Sequence, residues 1–486
     1  MSVQALRRES SPSLSEDQMR QTLERQRAAF LEHGPPSYRE RRAKLEALAA
    51  MLFDNQDRFV EAVSADFGNR AAGETLRLEL LPSLMAVRHT IRHLRSWMRP
   101  DRRRSHWATW PSRARIEFQP LGVIGIISPW NYPIYLATGP LTGALAAGNR
   151  AMIKPSELTP ETSALIAELI AKTYDAAEVS VTTGGPDVAR AFSSLPFDHL
   201  LFTGSTAIGR HVMRAASENL VPVTLELGGK SPTFIGRNFP IRSGLGGLLT
   251  GKLFNAGQTC VAPDYILVHE SRVDELVAQL RTDVAAMYAR MADNPEYTAI
   301  INERHRERLV GALEDARQKG ATTLEINPGD EAPERFAETG KLPLTLLLDV
   351  NDDMSVMQDE IFGPLLPIKT YSTLDEAIEY VNGKPRPLVA YVFSHDNSEI
   401  RAVGRRVVSG ALSTNATATH VAQDDIPFGG VGASGIGHYH AREGFRTFSH
   451  QKAVYQQLRP NLMHLIAPPY EGAIKEKLLE FLLRFG

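Results

Sequence analysis

The 486-residue chain holds one cysteine, Cys260. A single thiol excludes an intrachain disulfide and any metal site built on several thiolates. Net charge is nearly absent: 54 Lys and Arg stand against 56 Asp and Glu, a formal −2. No global field therefore draws the chain to nucleic acid or anionic lipid. No apolar run approaches the ~18 residues that would span a bilayer. The opening "MSVQALRRESSPSLSEDQMR" has basic residues but no apolar segment behind them, so it does not read as a secretory signal. Repeats and low-complexity tracts are missing, and so is a G-x-G-x-x-G fingerprint in the first strand-to-helix turn. These absences lead to the expectation of a cytoplasmic protein.

What is present is ordinary globular composition, with 43% hydrophobic and 23% charged residues, enough for a large core. Length suggests about three domains. Residues 15–66 read as helices, with Leu45, Leu48, Leu52, Phe59 and Val63 recurring near helical period. A further helix should end in "IRHLRSWMRPDRRRSH", whose arginine-rich tail at 99–104 reads as a solvated helix end and loop. "RIEFQ" alternates like an exposed strand. The apolar run "LGVIGIIS" then begins an alternation of strand and helix through "RAMIKP", "VSVTTGG", "FDHLLFTGS" and "VPVTLELGG". That alternation is the sequence form of a doubly wound parallel sheet. Apolar strands such as "DYILVHE" and "PLLPIKTY" imply a second α/β unit from about 229, with 320–342 as a polar surface connection. In the amphipathic C-terminal segment, Ile474, Leu478, Phe481, Leu482 and Phe485 share a face. It is expected to dock on its own chain or on a partner subunit, although a peripheral membrane contact would suit the same pattern.

Open parallel sheets bind ligands at the carboxyl ends of their strands, so motifs placed there carry the argument. Glu226 and Leu227 end one strand before Gly228–Gly229; the carboxylate suits a general base or a strand-end ion pair. Asn131 in "SPWNYP" suits an oxyanion donor or an Asx turn. Lys154, Ser156 and Glu157 of "KPSE" follow the second strand, where a lysine and a glutamate suit ribose hydroxyls. Gly204, Ser205 and Gly209 of "FTGSTAIG" form a small-residue turn at a helix N-terminus, a setting that favours phosphate. Cys260 lies in "NAGQTC", which is small and polar rather than an apolar packing face. That context favours a nucleophile over a core filler.

In this order, "SPWNYP", "KPSE", "FTGSTAIG", "LELGGKSP", "FNAGQTC", "EIFGP" and "PFGGVGASG" resemble the aldehyde dehydrogenase superfamily from about residue 38 to 455. The compact N-terminus is similar to the class 3 branch. "AVSADFGNR", "EFQPLGVIGIISPWNYP", "FNAGQTCVAPDYILV", "DNPEYTAIIN" and "GFRTFSHQKAV" resemble the bacterial coniferyl aldehyde dehydrogenases within it.

The resemblance implies an α/β fold: a modified Rossmann NAD-binding domain over 1–228, a catalytic domain over 229–412, and a return to the first domain over 413–486. Small β elements for oligomerisation, a hairpin near 103–120 and a strand near 446–456, imply a homodimer. It implies Cys260 as nucleophile, Asn131 with the Cys260 N–H as oxyanion donors, and Glu226 as the base that hydrolyses a thioester. Glu360 and Phe362 would meet the nicotinamide ribose and ring, Lys154 and Glu157 the adenosine ribose, and Trp130 and Ser205 the pyrophosphate region. A glutamate at 157 would repel a 2′-phosphate, which favours NAD over NADP. His438 and His440 of "GHYH" lack carboxylate or thiol company, so no metal is assigned and a loop or tunnel wall is expected. The substrate class implied is an aromatic or conjugated aldehyde, with medium-chain or fatty aldehydes as the alternative. Acyl release to coenzyme A would not need Glu226, and a silent scaffold would not need the cysteine, glutamate and asparagine together.

Overall fold

The computed structural model describes residues 15–105, 109–461 and 467–485. The first fourteen residues, the tip of the expected hairpin at 106–108 and the terminal glycine lie outside these. Among the described residues, the strands form three sheets. In the six-stranded sheet the order is Gly435–Ile436, Val223–Leu227, His199–Gly204, Val123–Ile127, Arg150–Lys154 and Val179–Val181. All its pairings are parallel except that of Gly435–Ile436. Val123–Ile127 and Arg150–Lys154 are buried at every position, which explains the continuous apolar run of the first and the apolar centre of the second. From Val123–Ile127 the chain moves outward to Arg150–Lys154 and Val179–Val181, then returns to His199–Gly204 on the other side. That reversal makes a crevice at the strands' carboxyl ends.

The seven-stranded sheet runs Thr322–Ile326, Leu344–Leu348, Leu365–Tyr371, Tyr265–His269, Pro232–Ile235, Val389–Phe393 and Ala411–Thr414. Only Thr322–Ile326 is antiparallel to its neighbour. This corrects the reading of 320–342 as a plain connection, since the segment holds that edge strand and the helix Pro333–Thr339. Its polarity has a simple cause: an edge strand keeps one side in solvent.

The third sheet is antiparallel, with order Asp101–Arg103, Ser112–Pro120 and Ser449–Gln457. Part of the arginine-rich tail is therefore a strand and not a loop, because Asp101–Arg103 pairs with residues 114–116. The C-terminal helix Ala473–Phe485 forms, and on its apolar face Ile474 is 76% exposed while Leu478 and Leu482 are partly buried. Among the described residues, no helix is long and apolar enough to cross a membrane.

Helices Glu16–His33 and Tyr38–Asp54 start at Ser15 and Ser37, each closing a capping box. The expected periodic residues Leu45, Leu48, Leu52, Phe59 and Val63 are all fully buried. Arg41, buried from the same helix, donates to Ala146 O at 3.1 Å and Ala147 O at 2.7 Å. It thereby satisfies the last carbonyls of the apolar helix Tyr135–Ala147, which packs beneath the sheet. Replacing Arg41 with Met leaves those carbonyls buried and unpaired. A loss of about 2–3 kcal/mol is expected in urea unfolding.

Candidate active site

One cavity of about 750 Å³ lies where the first two sheets meet. Its walls bring together Trp130, Asn131, Gly204, Ser205, Glu226, Leu227, Cys260, Glu360 and Phe362, which come from separate motifs. Four other sequence-derived candidates stand outside that lining. Lys154 Nζ donates to Pro155 O at 3.0 Å and to Glu157 at 3.1 Å, at the end of its strand. Ser156 Oγ accepts from Leu158 N at 3.1 Å and so shapes the turn. Gly209 is a packing residue, since a Cβ there would lie 2.7 Å from a Leu227 methyl group.

Cys260 follows a tight turn, Phe254–Gly257. Asn255, Ala256 and Gly257 are successive left-handed residues, with φ of 51°, 52° and 80°. A Cβ on Gly257 would sit 2.4 Å from Gly363 O, so only glycine fits. Non-glycine residues hold this conformation only when their surroundings enforce it. Here Gln258 Nε2 donates to Asn255 O at 2.9 Å and Ala299 O at 3.0 Å, and its Oε1 accepts from Ile301 N at 3.0 Å. Asn255 Nδ2 donates to Asn131 O at 3.0 Å and Gln258 O at 3.1 Å. The Asn255 amide N–H donates to Glu74 at 3.0 Å.

The same network fixes Asn131. One hydrogen of its Nδ2 is directed to Gln258 O at 3.1 Å, which leaves the other for the cavity. Its carbonyl also accepts from Arg70 Nη1 at 2.8 Å. Arg70 and Glu79 form an ion pair at 3.1 Å with both side chains fully buried. Arg70 lies over the Tyr132 ring at 4.8 Å and the Phe67 ring at 5.1 Å. Glu79 Oε2 accepts from Ile134 N at 2.7 Å and Tyr135 N at 3.3 Å. Nothing in the local pattern of "FGNRAAGETLRLEL" marks these buried charges, and sequence reasoning missed them. Tyr132, His305 and Arg308 also line the cavity unanticipated.

Opposite the cysteine, Glu226 sits on Val223–Leu227 at 4% exposure, with neither carboxyl oxygen hydrogen-bonded. Burial pushes its pKa well above the usual carboxylate range. The Cys260 thiol is pushed up to about 12 by burial first, then by Glu360 and Glu226. Glu360 is raised to about 8, mainly by burial, against the Gly229 amide that favours its charged form. Phe362 takes φ of 50°, a costly conformation for a bulky residue. It is held by Arg308, which donates to Ile361 O at 2.7 Å, and by Asp264, which accepts from Ile361 N at 2.9 Å. Its ring meets Trp130 edge-on at 5.4 Å. Gly228 opens the floor, because a Cβ there would lie 2.0 Å from Glu360 Oε2. Ser205 caps the twelve-residue helix Thr206–Ser217, whose N-terminus faces the cavity. His440 lines the far wall, while His438 is paired with Glu443 at 3.6 Å. The whole arrangement can present a thiol, an amide donor and a buried carboxyl to one small electrophile.

If Arg70 carries this end of the cavity, Arg70→Met strands the Glu79 carboxylate and frees the Asn131 carbonyl. A destabilisation of about 3–5 kcal/mol is expected by denaturant unfolding. Arg58→Met, at an ion pair with both partners exposed, should change it far less.

Comparison with known proteins places the chain. The aldehyde dehydrogenase family model matches residues 9–454. A probable coniferyl aldehyde dehydrogenase of Pseudomonas aeruginosa is 50% identical, over 96% of this chain and 97% of that protein. The coniferyl aldehyde dehydrogenase of Pseudomonas sp. strain HR199 is also 50% identical, over 94% and 95%. Staphylococcus aureus AldH, solved in a substrate-bound state, superposes with a TM-score of 0.90 at 37% identity, covering 96% of this chain and 99% of that one. A Mycobacterium tuberculosis aldehyde dehydrogenase solved with NAD+ gives 0.82 at 30% identity, over 93% and 92%. With most of its site motifs gathered in one cavity and the match running almost end to end, the chain belongs to the aldehyde dehydrogenase family.

Proposed function

We propose that the protein oxidises an aromatic or conjugated aldehyde, such as coniferaldehyde, to its carboxylic acid through a thioester on Cys260. The observation that carries the chemistry is the convergence of Cys260, Asn131 and Glu226 on one cavity. The two Pseudomonas relatives and the aromatic wall of Tyr132, Tyr135, Phe254 and Phe428 support the substrate class.

The thiol must first lose a proton that burial makes it hold. Glu226 in its ionised form, which is populated as pH rises, is the acceptor, because the same burial raises its proton affinity. Cys260 Sγ then bonds to the carbonyl carbon. The free Asn131 N–H and the Cys260 backbone N–H hold the oxygen as it gains charge. Hydride leaves that carbon as the C–O double bond re-forms, giving the thioester. Glu226 gives the thiol's proton up to solvent and, ionised again, takes a proton from water, whose oxygen attacks the thioester; Cys260 departs as the thiolate, is reprotonated from Glu226, and the acid is released.

NAD fits as the hydride acceptor, and NADP is the weaker alternative; bound there, it would supply the two-electron oxidant that takes up the hydride. Ser205 and the helix N-terminus behind it suit its phosphates, and Trp130 the same region. Glu360 would hold a ribose and Phe362 would back the ring. Lys154 and Glu157 suit the distal ribose, with Gly204 and Ser156 shaping the turns between and Gly209 packed on Leu227 behind them. Glu157 would repel a 2′-phosphate.

We also take the chain as an NAD-binding domain over 1–228, a catalytic domain over 229–412 and a return over 413–486. The outer edge of Ser449–Gln457, most of whose residues are solvent-exposed, supports a homodimer paired through edge strands. A free catalytic thiol suits the reducing cytoplasm.

Cys260→Ala should abolish NADH formation from coniferaldehyde, and turnover at the wild-type level would remove the thiol from the mechanism. Because burial raises Glu226, its basic form appears only as pH rises, so wild-type kcat should climb on an alkaline-going limb. Glu226→Gln should lose that limb and at least ~100-fold in kcat. Light scattering should give the mass of a dimer; a monomer would exclude that arrangement.

A further inference from the structure

The cavity carries a polar group that this reaction does not use. Tyr439 is 2% exposed and lines the cavity, and its Oη has no hydrogen-bond partner. A buried phenol ordinarily finds one. Beside it in the same wall stand a second phenol and an imidazole: Tyr135 Oη lies 3.3 Å from His440 Nε2, and both residues are buried. Burial, with His420 acting in the same direction, holds His440 down to about 3, so its ring is neutral and keeps one nitrogen as an acceptor. The group is held rigidly. The His440 ring stacks on Phe428 at 4.6 Å with 13° between planes, and meets Tyr439 edge-on at 4.7 Å. Tyr439 is within electrostatic reach of Tyr135, and also of Glu226 and Cys260.

We propose that Tyr439, with the Tyr135–His440 pair, is a hydrogen-bonding station for a ring hydroxyl of the substrate, and so selects hydroxylated aromatic aldehydes over unsubstituted ones. The proposal rests on the aromatic-aldehyde reading above. A phenolic substrate entering this cavity gives up hydrogen bonds to water. Tyr439 Oη can donate to its oxygen, and Tyr135 Oη or His440 Nε2 can accept from its hydroxyl. An aldehyde without that hydroxyl leaves Tyr439 buried and unpaired, so it loses on both sides of the comparison. Tyr439 thus acts on specificity rather than on the bonds that change.

The test compares kcat/KM for coniferaldehyde and cinnamaldehyde, with NAD, in the wild type and in Tyr439→Phe. The wild type should favour coniferaldehyde by roughly tenfold or more. In Tyr439→Phe the ratio should fall towards one, with the change mostly in KM for coniferaldehyde. Competitive inhibition by ferulate relative to cinnamate should lose the same preference, a readout that needs no turnover of the phenol. A ratio unchanged in the variant, or equal losses on both aldehydes, overturns the proposal. If Tyr439→Phe fails to fold, Tyr135→Phe is judged by the same ratio. If the wild type oxidises neither aldehyde but does oxidise aliphatic ones, the aromatic-aldehyde reading itself fails and the station falls with it. If it oxidises both equally, that reading stands and the station alone is overturned.

Discussion

The carbonyl oxygen of Asn131 is shared by two buried donors, Arg70 Nη1 at 2.8 Å and Asn255 Nδ2 at 3.0 Å. The reactive end of the cavity depends on that junction. Asn131 follows a central strand of the six-stranded sheet, Asn255 lies in the left-handed turn before the cysteine, and Arg70 reaches in from the N-terminal helical region. In a low-dielectric interior such bonds are strong, and leaving one unmade is costly. The junction therefore sets the distance between the amide donor and the thiol, and holds the strained turn closed. Arg70 in turn is neutralised by Glu79, which also receives the amides of Ile134 and Tyr135. Catalytic geometry and local stability are thus one network.

Burial sets the resting chemistry. Cys260, Glu226 and Glu360 are all pushed towards their protonated forms, the first to about 12 and the last to about 8. Three ionisable groups that could repel one another instead hold protons until the site needs charge. A thiol kept this way is poorly reactive in the empty site, which limits side reactions of an isolated nucleophile. The same desolvation strengthens each donor aimed at a developing oxyanion.

Much of this was legible in the sequence, for identifiable reasons. Continuous apolar runs such as "LGVIGIIS" marked strands buried on both faces, and the motifs after Val123–Ile127, His199–Gly204 and Val223–Leu227 line the cavity, whereas "KPSE" stands outside it. Segment 320–342 misled because an exposed edge strand has the composition of a loop. Asp101–Arg103 misled because arginines on a surface sheet resemble a solvated helix end. Gly209 read as part of a phosphate turn, yet its missing side chain makes room for Leu227. Arg70 and Glu79 carried no signal, since the backbone groups of Asn131, Ile134 and Tyr135 that make their burial tolerable are distant in sequence. Tyr439 and His440 stood in the tyrosine–histidine run "GHYH", but only the fold shows that one hydroxyl lacks a partner.

The central claim is that a carbon–sulfur bond forms at Cys260 and is cleaved by water that Glu226 activates. The most direct measurement is mass spectrometry of the Glu226→Gln protein, acid-quenched after mixing with coniferaldehyde and NAD and then mapped by peptide. The account predicts an acyl group of the mass of the oxidised substrate on the peptide containing Cys260, rising with the first equivalent of NADH. NADH formed at one equivalent while that peptide stays unmodified would contradict it.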